Sequence, residues 1–159
     1  MTGSLTFAFA FVDALGCGLV AGVFFAFSTF VMPALARLRP AQGIAAMQSI
    51  NLLAVTPWFM SLLFGTALLC LASAVLALLD WRGAASAWML AGSTLYLAGV
   101  ILVTMMFNVP LNNILAAQAP ESAEAAGVWT RYLAAWTRWN HLRTITPTGA
   151  AGCFILALQ

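Results

Sequence analysis

Four apolar stretches of this chain are long enough, or nearly so, to cross a membrane as helices, and they constrain its fold more than any other feature. They cover residues 5–31, 58–79, 87–107 and 142–158. A helix rises about 1.5 Å per residue, so roughly 20 apolar residues cross a hydrocarbon core of about 30 Å. The stretches are continuously apolar instead of alternating, which favours helices over the strands of a membrane barrel.

The composition points to the same class of protein. Hydrophobic residues make up 64% of the 159 residues and charged residues 6%, and a soluble domain of this size has too much surface for so few polar groups. The sequence therefore predicts an all-α membrane protein, a four-transmembrane-helix bundle in a single domain, residues 1–159. Because the fourth stretch is short and contains Pro147, the fourth helix is expected to span 129–158 with a kink near that proline.

The positions of the basic residues predict how the chain lies across the membrane. Five of the six arginines lie in or beside the connections between apolar stretches one and two and between stretches three and four: Arg37, Arg39, Arg131, Arg138 and Arg143. The positive-inside rule then places both connections in the cytoplasm and both termini outside. The expected location is a bacterial inner membrane, and a net charge of +2 gives no sign of a nucleic-acid partner.

A weak internal repeat relates the two halves of the chain. Phe30-Val31-Met32-Pro33 resembles Phe107-Asn108-Val109-Pro110, and Thr56-Pro57 resembles Thr146-Pro147. Each half would consist of a helix, a proline break, an amphipathic cytoplasmic segment and a returning helix. The pattern predicts two pseudo-repeated helical hairpins, related by an axis along the membrane normal.

Asp13 is a carboxylate about two turns inside the first apolar stretch. Such a residue is costly in a membrane unless it is paired, and it is a functional candidate by default. By depth, its expected partners are Ser73, Thr94 or Tyr96. Two interpretations stay open, a hydrogen-bonded structural carboxyl and a proton relay.

Small residues recur at every fourth position of the same stretch, at Ala14, Gly18, Gly22 and Ala26. This spacing lets another helix approach closely. It predicts a packing face, either within the chain or, through Gly18 and Gly22, between the subunits of a homo-oligomer.

The cysteines and the single histidine give little support for a metal site. Cys17, Cys70 and Cys153 lie in different apolar stretches without a Cys-x-x-Cys motif, which is typical of small buried residues. No carboxylate stands near His141 in the sequence. No metal ligand is therefore predicted.

Asparagine and glutamine side chains are concentrated at the predicted cytoplasmic end of the helices. After Pro40, apolar residues recur at helical spacing and place Gln48 and Asn51 on the same face, so both are expected to point inward. Asn108 and Asn112 flank Pro110 at the end of the third stretch. They either line a site or satisfy loose backbone groups, because asparagine is common at helix ends.

An aromatic stripe gives the sharpest prediction. Five residues follow steps of three and four and share one helical face: Trp129, Tyr132, Trp136, Trp139 and Arg143. Asn140 lies beside the stripe, whereas helical geometry turns His141 away from it unless the helix is distorted near Pro147. Buried polar groups need partners, so Asn140 and Arg143 are expected to meet the asparagines at the same depth.

These residues carry a resemblance to a known family. The runs Phe107-Asn108-Val109-Pro110-Leu111-Asn112 and Trp136-x-x-Trp139-Asn140-x-x-Arg143, with Met47-Gln48-x-x-Asn51 upstream, resemble the anthrone oxygenase-like family. The resemblance covers most of the chain. It implies a small four-helix membrane protein, and for some members the oxidation of anthrones to anthraquinones without an evident cofactor.

The resemblance also implies roles for the site residues. Trp136 and Trp139 would sandwich a planar aromatic or quinone-like ligand. Amide and guanidinium groups would donate to its oxygens: Asn51, Asn108, Asn112, Asn140 and Arg143, with Gln48 nearby. Asn108 and Arg143 would act as catalytic groups, and His141 would act as base if it points inward.

Two other classes of function stay open, so enzymatic activity is not assigned from the sequence. A flat aromatic pocket would also suit a quinone or a haem in a redox protein, with His141 as a single axial ligand. Alternatively, the chain is an accessory or scaffold subunit that packs through the small-residue face. Membrane lipid is an expected partner in every case.

Overall fold

The computed structural model describes residues 2–159, and in this part of the chain all regular structure is helical. Helix α1 comprises Thr2–Ala26, a π-helical segment at Phe27–Val31 and a last turn at Met32–Leu35. The next two helices are α2 at Pro40–Leu53 and α3 at Pro57–Leu79.

Helix α4 begins with Ala84–Tyr96, continues through π-helical segments at Leu97–Leu102 and Thr104–Asn108, and ends with Val109–Ala116. Helix α5 is Ala125–Leu156. The predicted all-α class is confirmed.

Three of these helices are long and apolar enough to cross a membrane by length and composition, namely Gly3–Leu35, Pro57–Leu79 and Ala84–Ala116. Their outer faces carry large exposed apolar side chains, such as Leu19 and Leu68, as expected for surfaces that face lipid. Helix α5 is not among the three, because polar residues occupy much of its length. A membrane crossing by α5 stays a prediction.

The four long helices contact one another in a closed order. Helix α1 packs against α3 and α5, and α4 packs against the same two helices. The short helix α2 lies across the end of this group, in contact with α5 and with the last turns of α4. This arrangement brings the ends of α1 and α4 to the middle of α5.

Two apolar clusters form the core. One lies among the long helices and includes Val20, Phe24 and Phe154. The other lies under α2 and includes Met47 and Trp136. The polar residues of α5 lie where the two clusters meet, since Arg143 contacts both the Phe24 ring and the Trp136 ring.

The prolines do not break the helices as the internal repeat predicted. Helix α1 continues past Pro33 to Leu35, and α4 continues past Pro110 to Ala116. A π-helical segment ends two residues before each proline. Proline supplies no amide donor and crowds the preceding turn, and the wider π turn accommodates both effects without ending the helix.

The two halves differ at their second proline. Thr56 caps α3, where its Oγ1 accepts a hydrogen bond from the Phe59 amide at 3.4 Å and Pro57 occupies the first helical position. Pro147 instead lies inside the continuous helix α5. The resemblance between the halves is therefore local and is strongest at Pro33 and Pro110.

Candidate functional site

Asn140 joins α5 to α1 at the centre of the buried polar residues. It is fully buried, and its Nδ2 donates to the Phe24 carbonyl and to Ser28 Oγ, both at 2.8 Å. Its Oδ1 accepts from Arg143 Nη2 at 2.9 Å. Every polar atom of this amide is therefore used, which is how a buried amide avoids the cost of desolvation.

Arg143 is a buried cation that has no carboxylate partner among residues 2–159. Only 5% of the residue is exposed, and its guanidinium carbon lies 4.4 Å from the Phe24 ring centroid and 5.0 Å from the Trp136 ring centroid. Its Nη1 donates to Thr104 Oγ1 on α4 at 3.3 Å. Two aromatic faces and neutral oxygens thus replace the counter-ion that a buried charge ordinarily requires.

The asparagines of α4 contact the same part of α5. Asn108 is buried, and its Nδ2 donates to the Trp136 carbonyl at 3.3 Å. Asn112 Oδ1 accepts from Trp136 Nε1 at 2.8 Å and from the Tyr132 hydroxyl at 2.9 Å. The indole and phenol planes are held in place by one amide oxygen.

Tyr132 also interacts with the side chain of Asn51 on α2. The Tyr132 hydroxyl donates to Asn112 Oδ1, so this one side chain contacts both α2 and α4.

These contacts define the buried cluster, which comprises Phe24, Ser28, Thr104, Asn108, Asn112, Tyr132, Trp136, Asn140 and Arg143. Two of its side-chain atoms have no hydrogen-bond partner. Among the described residues, the buried side-chain nitrogen and oxygen atoms without a partner are Asn108 Oδ1 and Arg143 Nε. One is an acceptor and the other a donor, and both belong to the α4–α5 interface beside Trp136. Unpaired buried groups of this kind are costly, and each calls for an explanation such as a bound water or a catalytic role.

Gln48 and Trp139 lie beside this cluster with other partners. Gln48 Nε2 donates to the carbonyls of Leu115 and Gln118 at 2.8 and 2.9 Å, so it attaches α2 to the end of α4. Trp139 stacks on Phe107, with ring centroids 3.7 Å apart and planes 8° apart. Trp136 has different ring partners, Phe27 and Tyr132 among them.

His141 is exposed and lines an open groove of 450 Å³ between the end of α1 and the outer face of α5. Thr137 and Arg138 line the same groove. No hydrogen bond or ring contact links His141 to Asn108, Asn140 or Arg143 among the described residues. The predicted catalytic residues are therefore divided between the buried cluster and the groove.

Asp13 lies apart from both places. It is fully buried, is hydrogen-bonded to the Ser73 hydroxyl, and lies 3.7 Å from Cys70 Sγ. Its position in α1 is about three turns from Phe24. Of the other partners expected from depth, Tyr96 donates to the Leu63 carbonyl at 2.9 Å.

The small-residue face of α1 is open. A side chain added at Gly18 or Gly22 would meet nothing within 4 Å, so within residues 2–159 no other helix covers α1 at these two positions. No group of three His, Cys, Asp or Glu residues within residues 2–159 is placed to hold a metal ion.

Sequence reasoning did not select Ser28, Thr104 or the aromatic ring of Phe24. Ser28 and Thr104 are polar residues near the ends of apolar helices, and that position is the signal that could have identified them. Thr104 precedes Asn108 by one helical turn, and Ser28 follows Phe24 by one turn. Their partners on α5 become visible only when the helices are packed together.

A family model for anthrone oxygenase matches residues 57–153, which is more than half of the chain. The chain belongs to the anthrone oxygenase family. The matched segment contains the α4 and α5 residues of the buried cluster, whereas Phe24 and Ser28 lie outside it. No curated protein and no solved structure shows significant similarity to the chain.

Proposed function

We propose that this member of the anthrone oxygenase family oxidises a planar, hydroxylated aromatic substrate at the buried cluster of α1, α4 and α5. The proposal includes an inner-membrane location, a crossing by α5 beside the three apolar helices, and termini on the outer side. Family membership and the three apolar helices support the general class. The residues of the buried cluster support the proposed chemistry.

The observation that carries the proposal is the unpaired donor and acceptor, Arg143 Nε and Asn108 Oδ1. A hydroxylated aromatic ketone presents the complementary pair, a carbonyl oxygen that accepts and a phenolic hydrogen that donates. A quinone without hydroxyl groups offers acceptors only and would leave Asn108 Oδ1 unpaired. The pair therefore favours a phenolic ketone, such as an anthrone, over a quinone.

The aromatic side chains of the cluster suit a flat ligand. Trp136 contacts Phe27 and Tyr132, and its indole nitrogen is held by Asn112. Rigid aromatic surfaces with a few polar groups at one edge are typical of sites for small planar molecules. In this proposal the substrate rings pack against Trp136, and the oxygen-bearing edge points at Arg143.

The guanidinium of Arg143 would make the reaction possible by favouring the enolate form of the substrate. A cation aimed at a developing oxyanion in a water-poor site acts strongly, so the benzylic carbon releases its proton more readily, and that proton ends in the water formed from dioxygen. The carbanion form then passes an electron to dioxygen. Over the whole reaction the substrate CH2 group and O2 become a C=O group and H2O, so the substrate supplies the electrons and no cofactor is required.

The test is an oxygen-uptake assay with a hydroxyanthrone and the full-length protein in mild detergent. We expect Arg143→Gln to lower the anthrone-dependent rate by roughly 10- to 100-fold, since a charge-assisted hydrogen bond contributes about 1.5–3 kcal/mol. Asn108→Ala should also lower the rate. His141→Ala should leave it within about twofold, because no hydrogen bond or ring contact joins His141 to the cluster.

Asn113→Ala is the matched control for Asn108→Ala, because Asn113 is exposed on the same helix. Loss of activity in His141→Ala, with activity retained in Arg143→Gln, would move the chemistry to the groove and contradict the proposal. A haem absorption band in the purified, active protein would contradict the cofactor-free mechanism.

A further inference from the structure

The groove that contains His141 combines apolar and cationic side chains, and the oxygenase proposal uses neither set. It lies outside the buried cluster, between the end of α1 and the outer face of α5, with a volume of 450 Å³. Its apolar lining comes from Met32 and Pro33 of α1 and from Leu133 of α5. Its polar lining comes from Thr137, Arg138 and His141 of α5, which are all able to donate hydrogen bonds.

The groove carries positive charge only. Arg138 is exposed, and no aspartate or glutamate lines the groove. Arg138 takes part in no ion pair with a carboxylate among the described residues, where the one salt bridge joins Arg82 to Asp80. Its guanidinium carbon lies 6.0 Å from the Trp139 ring centroid, which leaves the donor nitrogens available.

The groove also lies at the end of an apolar helix. Helix α1 is long and apolar enough to cross a membrane, and Met32 and Pro33 belong to its last turn. Arg37 and Arg39 follow directly and are exposed. An apolar lining beside cationic donors at the end of a spanning helix corresponds to the depth at which lipid headgroups meet acyl chains.

We propose that this groove binds an anionic phospholipid, with the headgroup phosphate held by Arg138, Thr137 and His141 and an acyl chain against Met32, Pro33 and Leu133. Phosphate complements the cationic lining, since guanidinium and imidazole donors match its oxygens. The apolar lining favours a lipid over a free phosphate, which has no group to place there. The open shape of the groove suits a ligand that enters sideways from the bilayer.

The experiment uses vesicles of phosphatidylcholine and phosphatidylglycerol in equal amounts. The full-length protein is reconstituted, extracted in mild detergent, and the lipid that stays bound is measured by native mass spectrometry. We expect phosphatidylglycerol to be retained in preference to phosphatidylcholine. Arg138→Gln should reduce that preference by about fivefold, from the attraction of one arginine to an anionic surface.

Two further variants keep the proposal falsifiable if Arg138→Gln proves unstable. Ala134→Trp fills the groove from an exposed position without changing charge, and it should also abolish the preference. Arg131→Gln removes an exposed arginine of α5 that does not line the groove, and it should leave the preference unchanged.

Equal retention of both lipids by the unaltered protein would overturn the proposal. So would an equal loss of preference in Arg131→Gln and Arg138→Gln, which would show a general surface attraction. Release of bound phosphatidylglycerol by millimolar inorganic phosphate would show that the groove recognises phosphate alone, and this too would overturn the assignment to a lipid.

Discussion

At the scale of single residues, amide side chains hold the buried cluster together through hydrogen bonds between helices. Asn140 binds two groups on α1 and one on its own helix, and Asn112 Oδ1 accepts from two aromatic side chains. Asn108 and Arg143 each keep one atom unpaired. Full pairing around Asn140 indicates a structural contribution, whereas the unpaired atoms favour a role in binding.

Asn140→Ala should therefore destabilise the protein whatever its effect on activity. The change removes three hydrogen bonds and leaves the Phe24 carbonyl and Arg143 Nη2 without their partner, at a cost of roughly 3 kcal/mol in the free energy of unfolding. Denaturant unfolding in detergent, followed by circular dichroism, measures this loss. Asn113→Ala, at an exposed position, should change stability little, and equal stability of the two variants would contradict the interpretation.

At the scale of helices, α4 and α5 approach closely where α4 is π-helical. Gly99 lies in the π-helical segment Leu97–Leu102, and a Cβ atom placed there would lie 2.3 Å from the Thr146 side chain. A larger residue would push the two helices apart. The close approach keeps Thr104 within reach of Arg143, so the glycine contributes to the geometry of the cluster.

Gly99→Ala should lower the free energy of unfolding by about 2 kcal/mol, the usual effect of overpacking a close helix contact. The same substitution at Gly65 meets nothing within 4 Å, so Gly65→Ala should be neutral or slightly stabilising because alanine favours helix. Thermal unfolding of both variants in one detergent gives the comparison. A Gly99→Ala variant as stable as the unaltered protein would mean that α4 and α5 can separate at little cost.

At the scale of the whole molecule, the open face of α1 bears on oligomeric state. Gly18 and Gly22 are exposed, and an added Cβ atom at either would meet nothing else of the described chain within 4 Å; large apolar residues such as Leu15 and Leu19 flank them. Small residues at this spacing allow close helix contacts in membranes. Association of two copies through this face stays a prediction from the sequence.

If two copies do associate there, replacing both glycines with leucine should lower the dimer fraction in detergent. The added side chains prevent close approach of the helix backbones. Sedimentation equilibrium measures the fraction, and Gly152→Leu on α5, where an added Cβ atom also meets nothing within 4 Å, is the control. A dimer fraction unaffected by the double substitution would exclude this face as the interface.

Part of the candidate site could be predicted from the sequence. Helical spacing predicted that Asn140 and Arg143 face the interior, and both are buried. It could not give their partners, because helical spacing shows only which side of its own helix a residue occupies. It does not show which helix lies opposite, or which residue of that helix is at the same level. For the same reason Ser28, Thr104 and Phe24 were not selected.

Family membership, the helical class and three membrane-length helices follow from the sequence alone, since apolar length and local motifs are properties of short segments. Helical spacing also turned His141 away from the aromatic stripe, but only the tertiary structure showed the groove beside the end of α1 and the two aromatic rings around Arg143. The tertiary structure also showed that Pro33 and Pro110 lie within continuous helices, each after a π-helical segment. These outcomes depend on how the helices pack, and packing is a relation between distant segments that no local pattern contains.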